Sequence, residues 1–361
     1  MTAAPQAGAP ARLLGSAAPL DSAYDVALLD LDGVCFAGDA RIPHAADAVN
    51  AARARGMRLS FVTNNASRAP AAVVATLARN DIEARPEEVF SAAMDGAALL
   101  REHLEEGAAV LVVGGQGLRE ALTDEGFTLV TSAEDRPAAV VQGYDPGVDW
   151  ALLSEGFYAI SAGALHVATN LDATLPTERG FALGNGSLVA AIVNASGHEP
   201  IAGGKPFPGI YRRALARSGG TTPLAVGDRL DTDHVGARAA GIASLHVLTG
   251  VSTARDVVLA AAGQRPTFLH TDLRGLGQPH PEPVRTTSDG TTWWQVGQAR
   301  ARVREGAAEL EGRGPLLGGP QDVVEVGLDD YRAVACAVWE HLDEHDGDAS
   351  GLSVPGLRVQ D

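Results

Sequence analysis

Lysine is all but missing from this chain. Of its 28 Lys+Arg residues, Lys205 alone is a lysine. Cations are also outnumbered, since 45 Asp+Glu leave a formal net charge of −17. A chain this acidic has no general attraction for polyanions or anionic surfaces, which argues against nucleic-acid and membrane partners. Any anionic substrate must then be captured by a local arrangement, against the overall field. Cysteine is scarce, with Cys35 and Cys336 alone. Two thiols make no disulfide framework, and a reducing cytoplasm is the expected setting. Long apolar runs are absent as well. Without a stretch of about 18 apolar residues, no membrane span is expected.

What is present is ordinary for a globular protein: 45% hydrophobic and 20% charged residues over 361 positions. That length suits two or three compact units. Residues 1–20, rich in Ala, Pro and Gly, read as a disordered tail. Residues 24–31 (YDVALLDL) and 57–62 (MRLSFV) read as buried strands, with helices at 43–56 and 69–80. Residues 21–85 and 200–276 are expected to form one α/β unit with a parallel sheet. Its second half holds helices at 208–217 and 232–240 and strands at 224–226 and 244–248. A second α/β unit, 86–199, interrupts it, with strands at 109–113, 138–142 and 165–169. Its helices are expected at 118–125, 150–161 and 187–196. After residue 276 the composition turns to Gly, Pro, Thr and charge. Residues 277–361 read as a small extension with helical patterns at 296–310 and 331–345.

Four short motifs follow apolar strands. Asp30-Leu31-Asp32-Gly33-Val34 places two carboxylates two residues apart at a strand end. Alternate strand residues face the same way, and open α/β sheets bind ligands outside their carboxyl ends. A simple Asp-Gly turn is the competing reading. Thr63-Asn64-Asn65 offers a hydroxyl and amides before a helix, suited to phosphate or merely to capping. Gly204-Lys205-Pro206 carries the lone lysine where glycine lets the backbone approach closely. A single lysine is ordinarily a solvated surface charge, yet this chain uses arginine everywhere else. Finally, residues 226–233 (VGDRLDTD) hold three acids that suit a hard cation or simply decorate a helix N-terminus.

In this order, and each at the end of an apolar strand, the four motifs resemble the haloacid dehalogenase (HAD) superfamily of phosphohydrolases. The inserted unit looks like the type II cap of its NagD-like and p-nitrophenyl-phosphatase-like members. The resemblance spans residues 24–276. It implies a Rossmann-like core and a Mg²⁺-dependent phosphomonoesterase working through an aspartyl-phosphate. Carried over residue by residue, Asp30 is the nucleophile, and Asp32 is the acid that protonates the leaving alkoxide and then activates water. Mg²⁺ is held by Asp30, the backbone carbonyl of Asp32, and Asp228, with Asp233 orienting from behind. Thr63, Asn64 and Asn65 bind phosphoryl oxygens together with Lys205. A compact ammonium suits a site crowded by a metal better than a wide guanidinium does. In the cap, residues 169–172 and 184–187 match family segments, which makes Asn185 and Gly186 candidate specificity residues. Leu175 stands where pyridoxal-phosphate phosphatases carry His, which disfavours that substrate.

The extension resembles the tail of actinobacterial D,L-glycerol-3-phosphate phosphatases, itself similar to part of a GCN5-type acetyltransferase. This points to glycerol 3-phosphate. Phosphoglycolate, a nucleoside monophosphate or a sugar phosphate are the alternatives, and a non-catalytic regulator on the same fold is a further one. Residues 291–314 contain no coenzyme A pyrophosphate loop, so acetyl transfer is not expected. Capped relatives associate through the cap, which sets a homodimer as the expectation. Two patterns are discounted. Residues 114–117 (GGQG) half-match a dinucleotide loop but read as a plain turn. His341-Leu342-Asp343-Glu344-His345 formally fits a metalloprotease pattern but reads as a solvated helix face.

Overall fold

In the computed structural model, residues 12–38, 40–177, 179–288 and 290–361 are described. They divide into two compact units. The first contains the described residues up to Leu59, together with Asn80–Ile82 and Ser218–Asp361. The second contains Ser60–Arg79 and Glu83–Arg217. No helix among the described residues is long and apolar enough to cross a membrane.

In the first unit, Val26–Leu29 pairs in parallel with Pro223–Gly227, from Val26↔Pro223 to Leu29↔Val226. Pro223–Gly227 in turn pairs in parallel with Ala243–Val247, which pairs in parallel with Phe268–His270. The first two strands are the apolar runs anticipated above, because a strand covered on both faces needs no polar alternation; the third, at an anticipated position, carries the buried polar side chains Ser244 and His246. Val26, Leu28, Leu29 and Leu224 are wholly buried. Each such side chain contributes roughly 1.5–3 kcal/mol of burial free energy.

Two expectations for this unit need correction. Residues 1–11 of the expected tail lie outside the described residues, but 12–20 are ordered. Leu13 is buried, Leu14 N–H donates to the Thr267 carbonyl, and Ser16 pairs with His280. Leu13, Leu14 and Leu20 in an Ala/Pro/Gly background gave no periodic signal. The helix expected at 296–310 is instead part of an antiparallel meander. Its strands are Val284–Ser288, Thr291–Val296, Ala299–Arg304, Ala307–Leu310 and Gly314–Pro315. Ala299, Ala301 and Val303 alternate with Arg300 and Arg302, whose guanidinium groups stack on Trp293 at 5.5 and 4.5 Å. That is the period of a strand. The helix Leu328–Glu344 packs on the meander, and the flanking strands Val323–Gly327 and Gly356–Gln360 pair in parallel. One apolar cluster runs from Leu13, Val257 and Leu269 to Tyr331, Trp339 and Leu310, so the extension shares its core with the parallel-sheet part.

The second unit contains a five-stranded parallel sheet. Its order is Ile201–Ala202, Leu165–Ala168, Ala139–Gln142, Ala109–Val113 and Thr128–Val130. Alternation along one strand feeds two separate cores. Val110 and Val112 join Leu100, Leu118 and Val167 in one, while Leu111 and Val113 join Ile160 and Ile192 in the other. Helix Trp150–Ser161 starts at Asp149, whose carboxylate accepts from Leu152 N–H at 2.9 Å. Arg58–Thr63, whose last four residues belong to this unit, pairs in parallel with Val89–Ser91. The strand Val89–Ser91, the helix Ala92–Arg101 and the hairpin Thr174–Thr177/Gly180–Leu183 were not anticipated. Residues 114–117 form the turn into helix Gln116–Asp124, with Gly117 N–H donating to the Ser67 carbonyl.

Candidate active site

Each unit gathers part of the set singled out from sequence. In the first, strand Val26–Leu29 ends at Asp30, whose N–H donates to the Val226 carbonyl at 2.9 Å. This bond carries the strand pairing into the turn and fixes Asp30 beside the end of Pro223–Gly227. There Asp228 follows, fully buried. A short π-helical turn, Leu230–His234, folds Asp233 back, and its carboxylate accepts from Arg229 N–H at 3.1 Å. Asp30, Asp228 and Asp233 thereby each present an oxygen within 4.8 Å of the others. The Asp32 carboxylate is not among them. Asp32 is exposed on a tight turn in which Gly33 N–H donates to the Phe36 carbonyl at 2.8 Å.

Asp228 sits in a fitted cradle. Val251 N–H donates to its Oδ2 at 2.6 Å, and Ser252 N–H donates to its carbonyl at 3.1 Å. Two glycines permit the approach. A Cβ on Gly33, whose φ is +86°, would lie 2.7 Å from the Asp228 carboxyl carbon; one on Gly250 would lie 1.9 Å from Oδ2. The Thr249 hydroxyl donates to the Gly33 carbonyl at 2.6 Å, joining the two loops that embrace the carboxylate. Three carboxylates this close repel one another by a few kcal/mol per pair, on the order of 3 at an effective dielectric of 20. An all-oxygen donor set of this kind fits a hard divalent cation such as Mg²⁺.

In the second unit, strand Arg58–Thr63 delivers Thr63, which is buried and accepts Asn65 N–H at 3.1 Å. Asn65 Oδ1 accepts from Ser67 N–H and from the Ser67 hydroxyl at 2.9 and 3.0 Å, organising the following loop. Asn64 grips the main chain of Lys205 from both sides. Its Oδ1 accepts from Lys205 N–H at 2.7 Å, and its Nδ2 donates to the Lys205 carbonyl and to Asp172, each at 3.0 Å. Lys205 is only 2% exposed. The lone lysine is therefore no solvated surface charge, which removes the simplest alternative reading of it.

Asn185 and Gly186 belong to the same network. The buried Asn185 donates to the Asn170 carbonyl at 2.8 Å, while Asn170 donates to the Asn64 carbonyl at 2.9 Å. Gly186 N–H donates to the Asp172 carbonyl at 2.8 Å. The segments 169–172 and 184–187 are thus braced against the Asn64–Lys205 pair.

Two features escaped the sequence reading. Asp95 is fully buried; it accepts Gly204 N–H at 2.8 Å and pairs with Arg213 at 2.7 Å, shaping the loop before Lys205. Burial raises its pKa, while the Gly204 N–H and the Arg213 guanidinium pull the other way. An acid inside the apolar run AAMDGAALL was a signal that could have found it. The loop 249–252 follows a strand end just as the four motifs do, but it acts through N–H groups and the absence of a side chain.

The chain is similar to known proteins over most of its length. Residues 27–128 match the family described as haloacid dehalogenase-like hydrolase, and residues 202–276 match a second HAD-hydrolase-like family. A D-glycerol 3-phosphate phosphatase from Mycobacterium tuberculosis is 43% identical over 317 residues, covering 88% of this chain and 86% of its own. An acid sugar phosphatase from Staphylococcus aureus is 36% identical over 252 residues, covering 69% of this chain and 95% of its own. Among solved structures, the glycerol phosphate phosphatase of M. tuberculosis in complex with magnesium superposes with TM-score 0.76 at 38% identity, covering 95% of each chain. A thermostable p-nitrophenylphosphatase variant from Geobacillus stearothermophilus superposes with TM-score 0.63 at 34% identity, covering 70% of this chain and 97% of that one. With relatives this similar spanning most of its length and strand-end carboxylates converging as they do, the chain belongs to the haloacid dehalogenase-like hydrolases.

Proposed function

We propose that the chain is a Mg²⁺-dependent phosphomonoesterase that hydrolyses glycerol 3-phosphate to glycerol and phosphate. The observation that carries the reading is the convergence of Asp30, Asp228 and Asp233 within 4.8 Å. Asp30 attacks phosphorus, and the P–O bond to the leaving alkoxide breaks as an aspartyl-phosphate forms. Asp32 donates a proton to that alkoxide, then takes one from the water that releases phosphate. Exposure of Asp32 suits an exchange of protons with solvent. Asp30, Asp228 and the Asp32 carbonyl would hold Mg²⁺, with Asp233 beside them. When bound, the ion supplies the charge that lets an anionic nucleophile meet an anionic phosphate. Lys205 and Thr63 serve the phosphoryl oxygens, and Asn64 and Asn65 set the loop that presents them. Asn185 and Gly186 brace the segment that selects the alcohol.

The substrate follows from the relatives: a glycerol phosphate phosphatase matches across most of this chain, the extension included. A panel of purified substrates tests it, comparing glycerol 3-phosphate, phosphoglycolate, sugar phosphates and nucleoside monophosphates with Mg²⁺ and with chelator. A preference for sugar phosphates or nucleotides would overturn the substrate assignment. Asp30→Asn should abolish Mg²⁺-dependent phosphate release, and persistent turnover would overturn the covalent route.

We assign residues 86–199 as a type II cap inserted in a core of 21–85 and 200–276. Residues 277–361 are a GCN5-like remnant, a reading supported by a meander followed by a helix between two parallel strands. Its helix start is poorly suited to a pyrophosphate. The Asp330 carboxylate accepts Gly327 N–H at 3.1 Å, and Asp329 pairs with Arg332 at 3.0 Å, so an incoming anion would meet two acids. A homodimer through the cap belongs to the same proposal. It is supported by Trp150, Phe181 and Leu183, which are 78%, 74% and 66% exposed. Two buried thiols suit a reducing cytoplasm.

A further inference from the structure

The loop that wraps Asp228 is one end of a longer mechanical chain. Val251 and Ser252 hold Asp228 by hydrogen bonds of 2.6 and 3.1 Å. The next residue, Thr253, caps the helix Ala254–Val258 reciprocally. Its hydroxyl accepts from Asp256 N–H at 3.2 Å, and the Asp256 carboxylate accepts from Thr253 N–H at 2.8 Å. No flexible linker separates the loop from the helix, so a shift in one is passed to the other.

A helix of five residues has almost no stability of its own. Its position is set by what it packs on, and much of that is the C-terminal extension. Val257 and Val258 are wholly buried in the cluster that includes Tyr331, Val334 and Trp339. The Trp339 indole N–H donates to the Val257 carbonyl at 2.9 Å. Arg255 Nε donates to the Val354 carbonyl at 2.8 Å. Both bonds tie main chain to side chain, across 82 and 99 positions of sequence, and together they fix the helix along its length.

The sheet holds the loop from another direction, by a hydrogen-bond chain with one consistent sense. Ser244 donates to His234 Nδ1 at 2.9 Å, and His234 Nε2–H donates to His246 Nδ1 at 2.9 Å. His246 Nε2–H then donates to the Ser252 carbonyl at 3.3 Å. The loop is therefore positioned by two anchors: one internal to the parallel sheet and one belonging to the extension.

We infer that the C-terminal extension sets the position of the Asp228 cradle, through Trp339 and Arg255, and thereby tunes the affinity of the site for its divalent cation. Trp339 and Arg255 are positioning residues, acting through Val251 and Ser252. The inference rests on the metal-dependent reading above, and it gives the extension a role in that chemistry without acetyl transfer.

The test titrates Mg²⁺ calorimetrically into the metal-free full chain and into Trp339→Phe and Arg255→Gln. Trp294→Phe serves as control, since it removes a similar bond, from Trp294 to Glu340 at 3.0 Å, that does not involve helix Ala254–Val258. Loss of one such bond should raise the Mg²⁺ Kd about three- to tenfold in the two variants. The control should match the wild type. Hydrogen exchange at the Val251 and Ser252 amides should quicken in the same two variants, while kcat at saturating Mg²⁺ stays within about twofold. An unchanged Kd in both variants, or an equal rise in the control, overturns the inference. Should Trp339→Phe fail to fold, Arg255→Gln decides alone, because its side chain is only half-buried. A wild-type chain that binds no Mg²⁺ overturns the metal-dependent reading as well, so the two failures are distinguishable.

Discussion

Gly250→Ala isolates the cradle better than any change to a carboxylate. The added methyl carbon would lie 1.9 Å from Asp228 Oδ2 and 2.4 Å from its carboxyl carbon. Non-bonded carbon and oxygen do not approach closer than about 3 Å, so the carboxylate or the loop must move by about 1 Å. Gly250 is not among the glycines with positive φ, so alanine brings no backbone penalty with it. The whole effect is then local. Displacing Oδ2 breaks the 2.6 Å bond from Val251 N–H. A hydrogen bond to a buried carboxylate is worth roughly 1.5–3 kcal/mol, which corresponds to about ten- to a hundredfold in metal affinity. A metal ligand misplaced by about 1 Å adds a loss in rate on the order of a hundredfold. Phosphate release from glycerol 3-phosphate, followed as Mg²⁺ is raised, should show both effects. Half-activation moves to higher Mg²⁺, and the plateau falls. Thermal unfolding should shift by only a few degrees. If the half-activating Mg²⁺ and the plateau both stay within twofold of wild type, Asp228 is not the metal ligand proposed above.

Lys205→Arg keeps the charge and should leave the fold near intact, yet it should lower kcat by roughly two orders of magnitude. The site is buried, and Asn64 holds both the N–H and the carbonyl of residue 205, so a wider guanidinium has no room to re-aim. Normal turnover in that variant would make the lone lysine an accident of composition. Stability should fall in mild acid. His280 is buried against Phe268 and His270; its Nε2–H donates to the Gly275 carbonyl, and Arg332 lies 3.3 Å from its Nδ1. Burial, with the Arg332 charge acting the same way, pushes its pKa down to about 4. Above about pH 6.5 the ring is neutral in both the folded and the unfolded chain and contributes no pH dependence. As pH falls from there toward 4, the unfolded chain takes up a proton that the folded one refuses, costing about 1.4 kcal/mol per pH unit. His166, also pushed down to about 4 by burial, acts in the same direction. Chemical denaturation at several pH values between 7 and 4.5 measures the slope, and His280→Gln should make it shallower, leaving the share of His166. A curve that is flat for the wild-type chain would contradict the burial argument.

How much of this was legible beforehand depended on the kind of interaction. The strands Val26–Leu29, Ala109–Val113 and Pro223–Gly227 announced themselves because parallel strands buried on both faces are written as unbroken apolar runs. The meander did not. Val296, Ala299, Val303, Ala307 and Leu310 fall near helical spacing, while the alternation of Ala299, Ala301 and Val303 with arginines carries the strand period. Alanine and arginine are both good helix formers, so local propensity favoured the wrong reading, and pairing with Thr291–Val296 overrode it. Charged residues that end up inside were equally hidden. Arg332 is 6% exposed because it donates twice to the Leu269 carbonyl, a partner 63 positions away. A sequence records the guanidinium but not the carbonyl that makes its burial tolerable.

The candidate residues of each unit divide along the same line. Asp30, Asp228, Thr63 and Lys205 were visible because their chemistry lies in side chains set at the ends of strands. The elements that aim them work through the main chain. Asn64 holds Lys205 by its peptide, Asp95 holds the same loop by Gly204 N–H, and Val251 and Ser252 hold Asp228 by theirs. An N–H group is common to nearly every residue, so nothing in the letters distinguishes a donor aimed at a carboxylate from one lost in a turn. Position does distinguish them. The loop 249–252 follows the strand Ala243–Val247, which neighbours Pro223–Gly227 in the same parallel sheet. A crevice outside the carboxyl ends of parallel strands is shared by adjacent strands, so the loop after the neighbour of a strand that ends in candidate ligands belongs to the candidate site whatever its composition. By that argument Thr249-Gly250-Val251-Ser252 belongs to the proposed metal site, on a par with the acids it surrounds.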